Sequence, residues 1–190
     1  RVSTLCKFYH VPEPNQFTAH RPVLSWTGKL SPLQVDAATA VDRGMAAHRH
    51  QLLWAVTGAG KTEMMFRGIA HALERGERLA VASPRVDVCL ELYPRLTAAF
   101  QNTTMVLLHG RQELPYRYAQ LTVCTTHQLL RFYHAFDNLI IDEVDAFPFA
   151  ANDALLFASR QAVKADGGCL YLTATPGPAL LRRVKRGELT

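Results

Sequence analysis

The chain has 190 residues, 48% of them hydrophobic, enough apolar material for one substantial core and one domain. No apolar run is long enough to cross a bilayer as a helix, and no signal-peptide pattern opens the chain, which excludes a helical membrane span. The formal net charge of +5 points toward a polyanionic partner.

Residues 1–28 mix Pro, aromatic and polar residues without a sustained period and are expected to form an irregular arm. Ser31 then caps a helix with Pro32 in its first position, running to about residue 48. Apolar strand candidates follow at 51–56, 79–83, 104–108, 121–124, 138–141 and 169–173. Helical segments fall between them at about 61–75, 86–99, 126–133, 152–165 and 177–185. Strands alternating with helices predict an α/β domain over 29–178, with a mostly parallel sheet flanked by helices. The basic stretch Arg182-Arg-Val-Lys-Arg-Gly187 reads as a helix end running into a linker over 179–190. The chain begins at Arg1 rather than Met, so it is expected to be a piece of a longer protein. Cys6, Cys89, Cys124 and Cys169 share no metal-ligand spacing, and buried free thiols in a reducing cytoplasm are the reading.

Two segments carry the chemistry. Ala55-Val-Thr-Gly-Ala-Gly-Lys-Thr62 follows an apolar strand and opens a helix, the context that a phosphate-binding loop needs. Thr57, Gly58, Ala59 and Gly60 form a loop whose glycines let backbone N–H groups converge on one phosphate. Lys61 can reach the β/γ-phosphates of ATP, and the Thr62 hydroxyl can ligate Mg²⁺. Ala55 stands where the strict pattern has Gly, a mild departure, because the glycines nearest the phosphates are kept. The second segment is Asp142-Glu143, at the end of the apolar run 138–141 and so at the carboxyl edge of the sheet, where ligands bind. Asp142 is placed to hold Mg²⁺ and Glu143 to orient and deprotonate the attacking water.

Small kinases, GTPases, transporter ATPases and helicases all combine such a loop with acids. Three further features resemble superfamily 2 helicases. Asp142-Glu-Val-Asp145 is an acidic block of the helicase form, and Thr173-Ala-Thr175 ends a strand as in the element linking hydrolysis to domain movement. Gly28-Lys-Leu-Ser-Pro-Leu-Gln34 resembles the segment whose glutamine reads adenine, since an amide donates and accepts at once. Asp145, Thr173 and Thr175 are then expected to couple nucleotide state to the nucleic-acid face. Arg85, at a strand end after Pro84, is a natural phosphate partner, and Thr125 and Thr126 could offer hydroxyls and N–H groups.

Trp54–Glu63, Ser83-Pro-Arg-Val-Asp-Val-Cys-Leu-Glu-Leu92, Thr125–Phe132 and Asp142-Glu-Val-Asp-Ala-Phe-Pro148 together resemble the ComFA family of competence-associated, ATP-dependent DNA-uptake helicases. The resemblance covers about residues 26–176 and implies a RecA-like domain that helps to pull single-stranded DNA into the cytoplasm, at the inner face of the membrane and with other uptake proteins. It also implies a second RecA-like domain with an arginine that completes the ATP site, and a four-cysteine zinc module. Cys6 alone cannot build that module, so no zinc is expected in this piece. A primosomal-type restart helicase, an RNA helicase, and a nucleotide switch without translocation are the alternative readings. A complete Asp-Glu pair favours turnover over switching.

Overall fold

The computed structural model describes residues 15–110, 116–146, 149 and 152–190. Residues 1–14 of the expected arm, with Cys6, lie outside the described residues, as do Phe147 and Pro148. The chain runs α1 (Pro32–Ala46), β1 (His50–Trp54), α2 (Lys61–Glu74), β2 (Leu79–Ser83), α3 (Val86–Ala99), β3 (Met105–Leu108) and β4 (Leu121–Thr125). A short 3-10 helix (Thr126–Arg131), β5 (Phe136–Ile141), α4 (Asp153–Ala162), β6 (Val163–Thr173) and α5 (Pro178–Lys185) complete it.

The six strands form one sheet in the order β1-β6-β5-β2-β4-β3, and every pair is parallel. Both faces of such a sheet must be covered, which is why its strands read as unbroken apolar runs. One face carries Leu79, Val81, Val123, Ile140 and Leu172 against α1, α2 and α3. The other carries Ala80, Ala82, Cys124, Leu139, Ile141 and Tyr171 against the 3-10 helix, α4 and α5. Cys89, Cys124 and Cys169 are buried free thiols. Parallel pairing also places every strand's C-terminal end at one edge. Trp54 pairs with Thr173, Ile141 with Tyr171, Ala82 with Ile141, and Ser83 with Thr125. The loops that follow these ends are the candidate site.

The structure corrects several element boundaries. β1 ends at Trp54 rather than 56, because Val56 already accepts the N–H of Ala59 across a turn. The helix expected over 152–165 stops at Ala162. The N–H groups of His134 and Ala135 donate to the carbonyls of Gln161 and Ala162, and Lys164 pairs with Asp137, so the chain is drawn into β6 six residues before the expected 169. Residues 126–131 form a 3-10 helix, after which Phe132 turns inward under Arg78 and Phe136. Residues 187–190, expected as a linker, return to the outer edge of β1. There the Thr190 N–H donates to His50 O at 3.1 Å and the Leu52 N–H to Thr190 O at 2.9 Å.

Candidate active site

The loop after β1 adopts a conformation that its glycines permit. Gly58 and Gly60 take left-handed backbones, with φ 79° and 76°, which side chains resist. Nothing lies within 4 Å of where a Cβ on Gly58 would stand, so the crown of the loop is open. Gly60 is the N-cap of α2, and no side chain caps the first-turn amides. Those amides and the positive end of the helix dipole suit a phosphate. Lys61 Nζ folds back onto the Ala55 and Val56 carbonyls at 3.0 and 3.3 Å, within the loop it would serve.

Asp142 leaves β5 with its N–H donating to Ala82 O at 2.8 Å, while its Oδ1 accepts the Glu143 N–H at 2.9 Å. Burial pushes the Asp142 carboxyl above the usual carboxylate range, and the Glu143 charge acts in the same direction. The Glu143 N–H, Lys61 and Arg95 act against them. A divalent cation would offset that burial cost. Thr62, also buried, supplies a hydroxyl from the first turn of α2. Among the described residues no group of three or more His, Cys, Asp or Glu could hold a metal by itself. One carboxylate and one hydroxyl are the hard oxygen ligands that Mg²⁺ takes when it keeps several waters and shares phosphate oxygens.

Glu143 is one of three described non-glycine residues with positive φ, at 52°. Its backbone is fixed by the Asp142 carboxylate and by the Ala146 N–H, which donates to Glu143 O at 2.9 Å. Its Oε2 lies 3.5 Å from Arg85 Nη1. Asp145 accepts the hydroxyls of Thr173 and, at 2.6 Å, Thr175. Burial disfavours the Asp145 charge, but these two bonds, with its own backbone amide and the Lys61 charge, hold the carboxyl below the usual range. The acidic block and the Thr-Ala-Thr strand end are thus one hydrogen-bonded unit. Lys61 exerts its charge on both Asp142 and Asp145.

Other expected residues are placed less simply. Gln34 forms a capping box with Ser31, and its Nε2 donates to Ala59 O at 2.9 Å. It braces the loop, leaving one amide hydrogen and one lone pair for a base edge. Thr125 and Thr126 are buried, 4% and 0% exposed, so their hydroxyls are not presented to a phosphate as expected. Thr125 takes the N-cap position of the 3-10 helix, and its side chain makes no capping bond. Arg85 is not a free cation. It also binds Asp87, at 2.5 and 3.2 Å. Sequence reading missed Arg95, which pairs with Glu63 at 2.5 Å behind the phosphate loop. Those two residues are 32 positions apart, and no local pattern links them.

The profile of the family described as "Type III restriction enzyme, res subunit" matches residues 27–177. The chain is 45% identical over 189 residues to "Competence protein ComFA" of Bacillus subtilis (strain 168), covering 100% of this chain and 41% of that protein. The protein of the same name from Streptococcus pneumoniae is also 45% identical over 189 residues, with 43% of its length covered. The chain therefore spans less than half the length of these curated relatives. The solved "Sulfolobus solfataricus SWI2/SNF2 ATPase core in complex with dsDNA" superposes with a TM-score of 0.62 at 16% identity, over 88% of this chain and 35% of that one, a likeness of fold. The chain belongs to the type III restriction enzyme res-subunit family and carries a helicase-type domain with a RecA-like fold.

Proposed function

We propose that this chain is the first motor domain of an ATP-driven DNA translocase that draws single-stranded DNA into the cell during transformation. The observation that carries the motor reading is one carboxyl edge bearing the 57–62 loop, Asp142-Glu143 and the Asp145–Thr173–Thr175 unit. The relatives' printed name, a competence protein, supports the biological task.

In this reading the amides of residues 58–62 and Lys61 bind the phosphates, and Gln34 meets the adenine edge while bracing Ala59. Mg²⁺, held by Thr62 and Asp142 when bound, would neutralise charge on the β- and γ-phosphates. Glu143 accepts a proton from the attacking water. The Asp145 unit passes nucleotide state toward Arg85, which meets a backbone phosphate; Thr125 and Thr126 stay behind that surface. A second RecA-like domain of the full-length protein supplies the arginine that completes the transition-state site. Other uptake proteins and the inner face of the membrane are the proposed surroundings. No described helix is long and apolar enough to cross a membrane.

The test is ATP turnover by the full-length protein with single-stranded DNA, duplex DNA or RNA. Strongest stimulation by single-stranded DNA is the expected result. Preferential stimulation by RNA would replace the reading with that of an RNA helicase.

A further inference from the structure

Arg85 sits between two carboxylates with different roles. Its Nε and Nη2 hold Asp87 of the first turn of α3 at 3.2 and 2.5 Å. Its Nη1 reaches Glu143 Oε2 at 3.5 Å, across 58 positions of sequence. Asp87 first, then the Glu143 charge, holds the guanidinium even more firmly protonated than usual. The Glu143 side chain in turn projects from a left-handed backbone pinned on both sides, which aims its Cα–Cβ bond while its own torsions stay free to turn away from Arg85.

We propose that Arg85 is a positioning residue that restrains Glu143 while no nucleic acid is bound, and that a backbone phosphate taking Arg85 releases Glu143 to the attacking water. The proposal rests on the motor reading above and adds a route by which DNA controls hydrolysis. Three observations carry it. The carboxylate oxygen held by Arg85 belongs to the residue placed to take the proton, so one group cannot serve fully in both contacts. The Arg85–Glu143 pair is long and its partners are 51% and 36% exposed, the kind of ion pair that competes poorly. A phosphodiester offers the guanidinium two oxygens in the planar geometry it prefers, so exchange toward phosphate is favourable. Asp87 competes with Glu143 for the same guanidinium and therefore limits how tightly the restraint closes.

The two acids give the test opposite signs. ATP turnover is measured in the full-length protein with and without single-stranded oligodeoxythymidylate, together with the ATP KM and thermal unfolding. Arg85→Gln should raise the DNA-free kcat about tenfold, a fraction of what a positioned general base contributes. The ATP KM should stay unchanged, and further stimulation by DNA should be lost. Asp87→Asn leaves the whole guanidinium to Glu143 and should lower the DNA-free kcat, which DNA then restores. A DNA-free kcat in Arg85→Gln equal to or below wild type, with wild-type stability and weakened DNA binding, would overturn the proposal and leave the motor reading intact. Should Arg85→Gln fold poorly, Asp87→Asn decides alone: an unchanged or raised DNA-free kcat overturns the proposal. Absence of any stimulation by DNA in the wild type overturns the motor reading and this proposal with it.

Discussion

The Gln34 side-chain amide donates to Ala59 O at 2.9 Å, tying the first turn of α1 to the middle of the phosphate loop. The same side chain accepts the Ser31 N–H at 2.7 Å and closes the capping box. Gln34→Ala should therefore lower stability by about 1 kcal/mol, the usual cost of losing a cap. It should also reduce ATP affinity more than GTP affinity, because the remaining donor and acceptor match adenine. Fluorescent-nucleotide titrations with both bases check this. Equal losses for the two nucleotides would make Gln34 a brace alone.

Thr173 is 1% exposed and gives its hydroxyl to Asp145, so the hydrogen bond lies at the buried end of β6. Thr173→Val should cost about 1–3 kcal/mol, since a charged acceptor loses its buried donor. Thr175→Val, at the exposed end, should cost less in stability. Both should keep ATP affinity and lose stimulation by DNA if the unit transmits nucleotide state. Urea unfolding and stimulated turnover, measured on the same preparations, separate the two effects.

The strands were legible because buried parallel strands leave unbroken apolar runs, and the loop because glycine takes its two left-handed positions without the cost a side chain brings. The Asp145–Thr173–Thr175 unit was legible only through resemblance, since 28 and 30 positions separate its members. What stayed hidden were pairings made by the finished sheet. The start of β6 reads as helix because Val163 and Lys164 follow a helical period, and contacts from 134–137 override it. The link from Arg85 to Glu143 exists because β2 and β5 are neighbours, an adjacency no local motif carries. The burial of Thr125 and Thr126 was hidden for a related reason: β4 lies between β2 and β3, a position that no local motif reveals.

Asp137 accepts the Arg78 N–H at 2.8 Å, Asn15 Nδ2 at 2.7 Å and Lys164 Nζ at 2.6 Å. Burial opposes its charge, yet these bonds hold the carboxyl below the usual carboxylate range. The unfolded chain therefore takes up this proton at higher pH than the folded one. The resulting stability is fully present above the ordinary carboxylate pKa of about 3.9 and fades as pH falls through the lower folded value. Asp137→Asn should be less stable at neutral pH and show a shallower loss of stability below pH about 4. Urea midpoints measured across that range check it; parallel acid limbs for the two proteins would contradict it.

The chain by itself should bind Mg²⁺·ATP weakly and hydrolyse it slowly, because the transition-state charge lacks the arginine of the proposed second domain. That group is worth about 10³–10⁵ in rate where such fingers operate. Single-turnover hydrolysis by this chain, compared with the full-length protein, measures the difference. Rapid DNA-stimulated turnover by the isolated chain as a monomer would contradict the expectation.

The most direct test of the motor reading compares Lys61→Ala with Glu143→Gln in the full-length protein, following ATP affinity and turnover together. Lys61→Ala removes a phosphate contact and should weaken both. Glu143→Gln keeps shape but loses the proton acceptor, so it should bind ATP as wild type does and lower turnover about 10²–10⁴-fold, leaving ATP trapped on the protein. Loss of ATP affinity in Glu143→Gln as large as in Lys61→Ala would show that Glu143 binds nucleotide rather than activating water, and the account would be wrong at its centre.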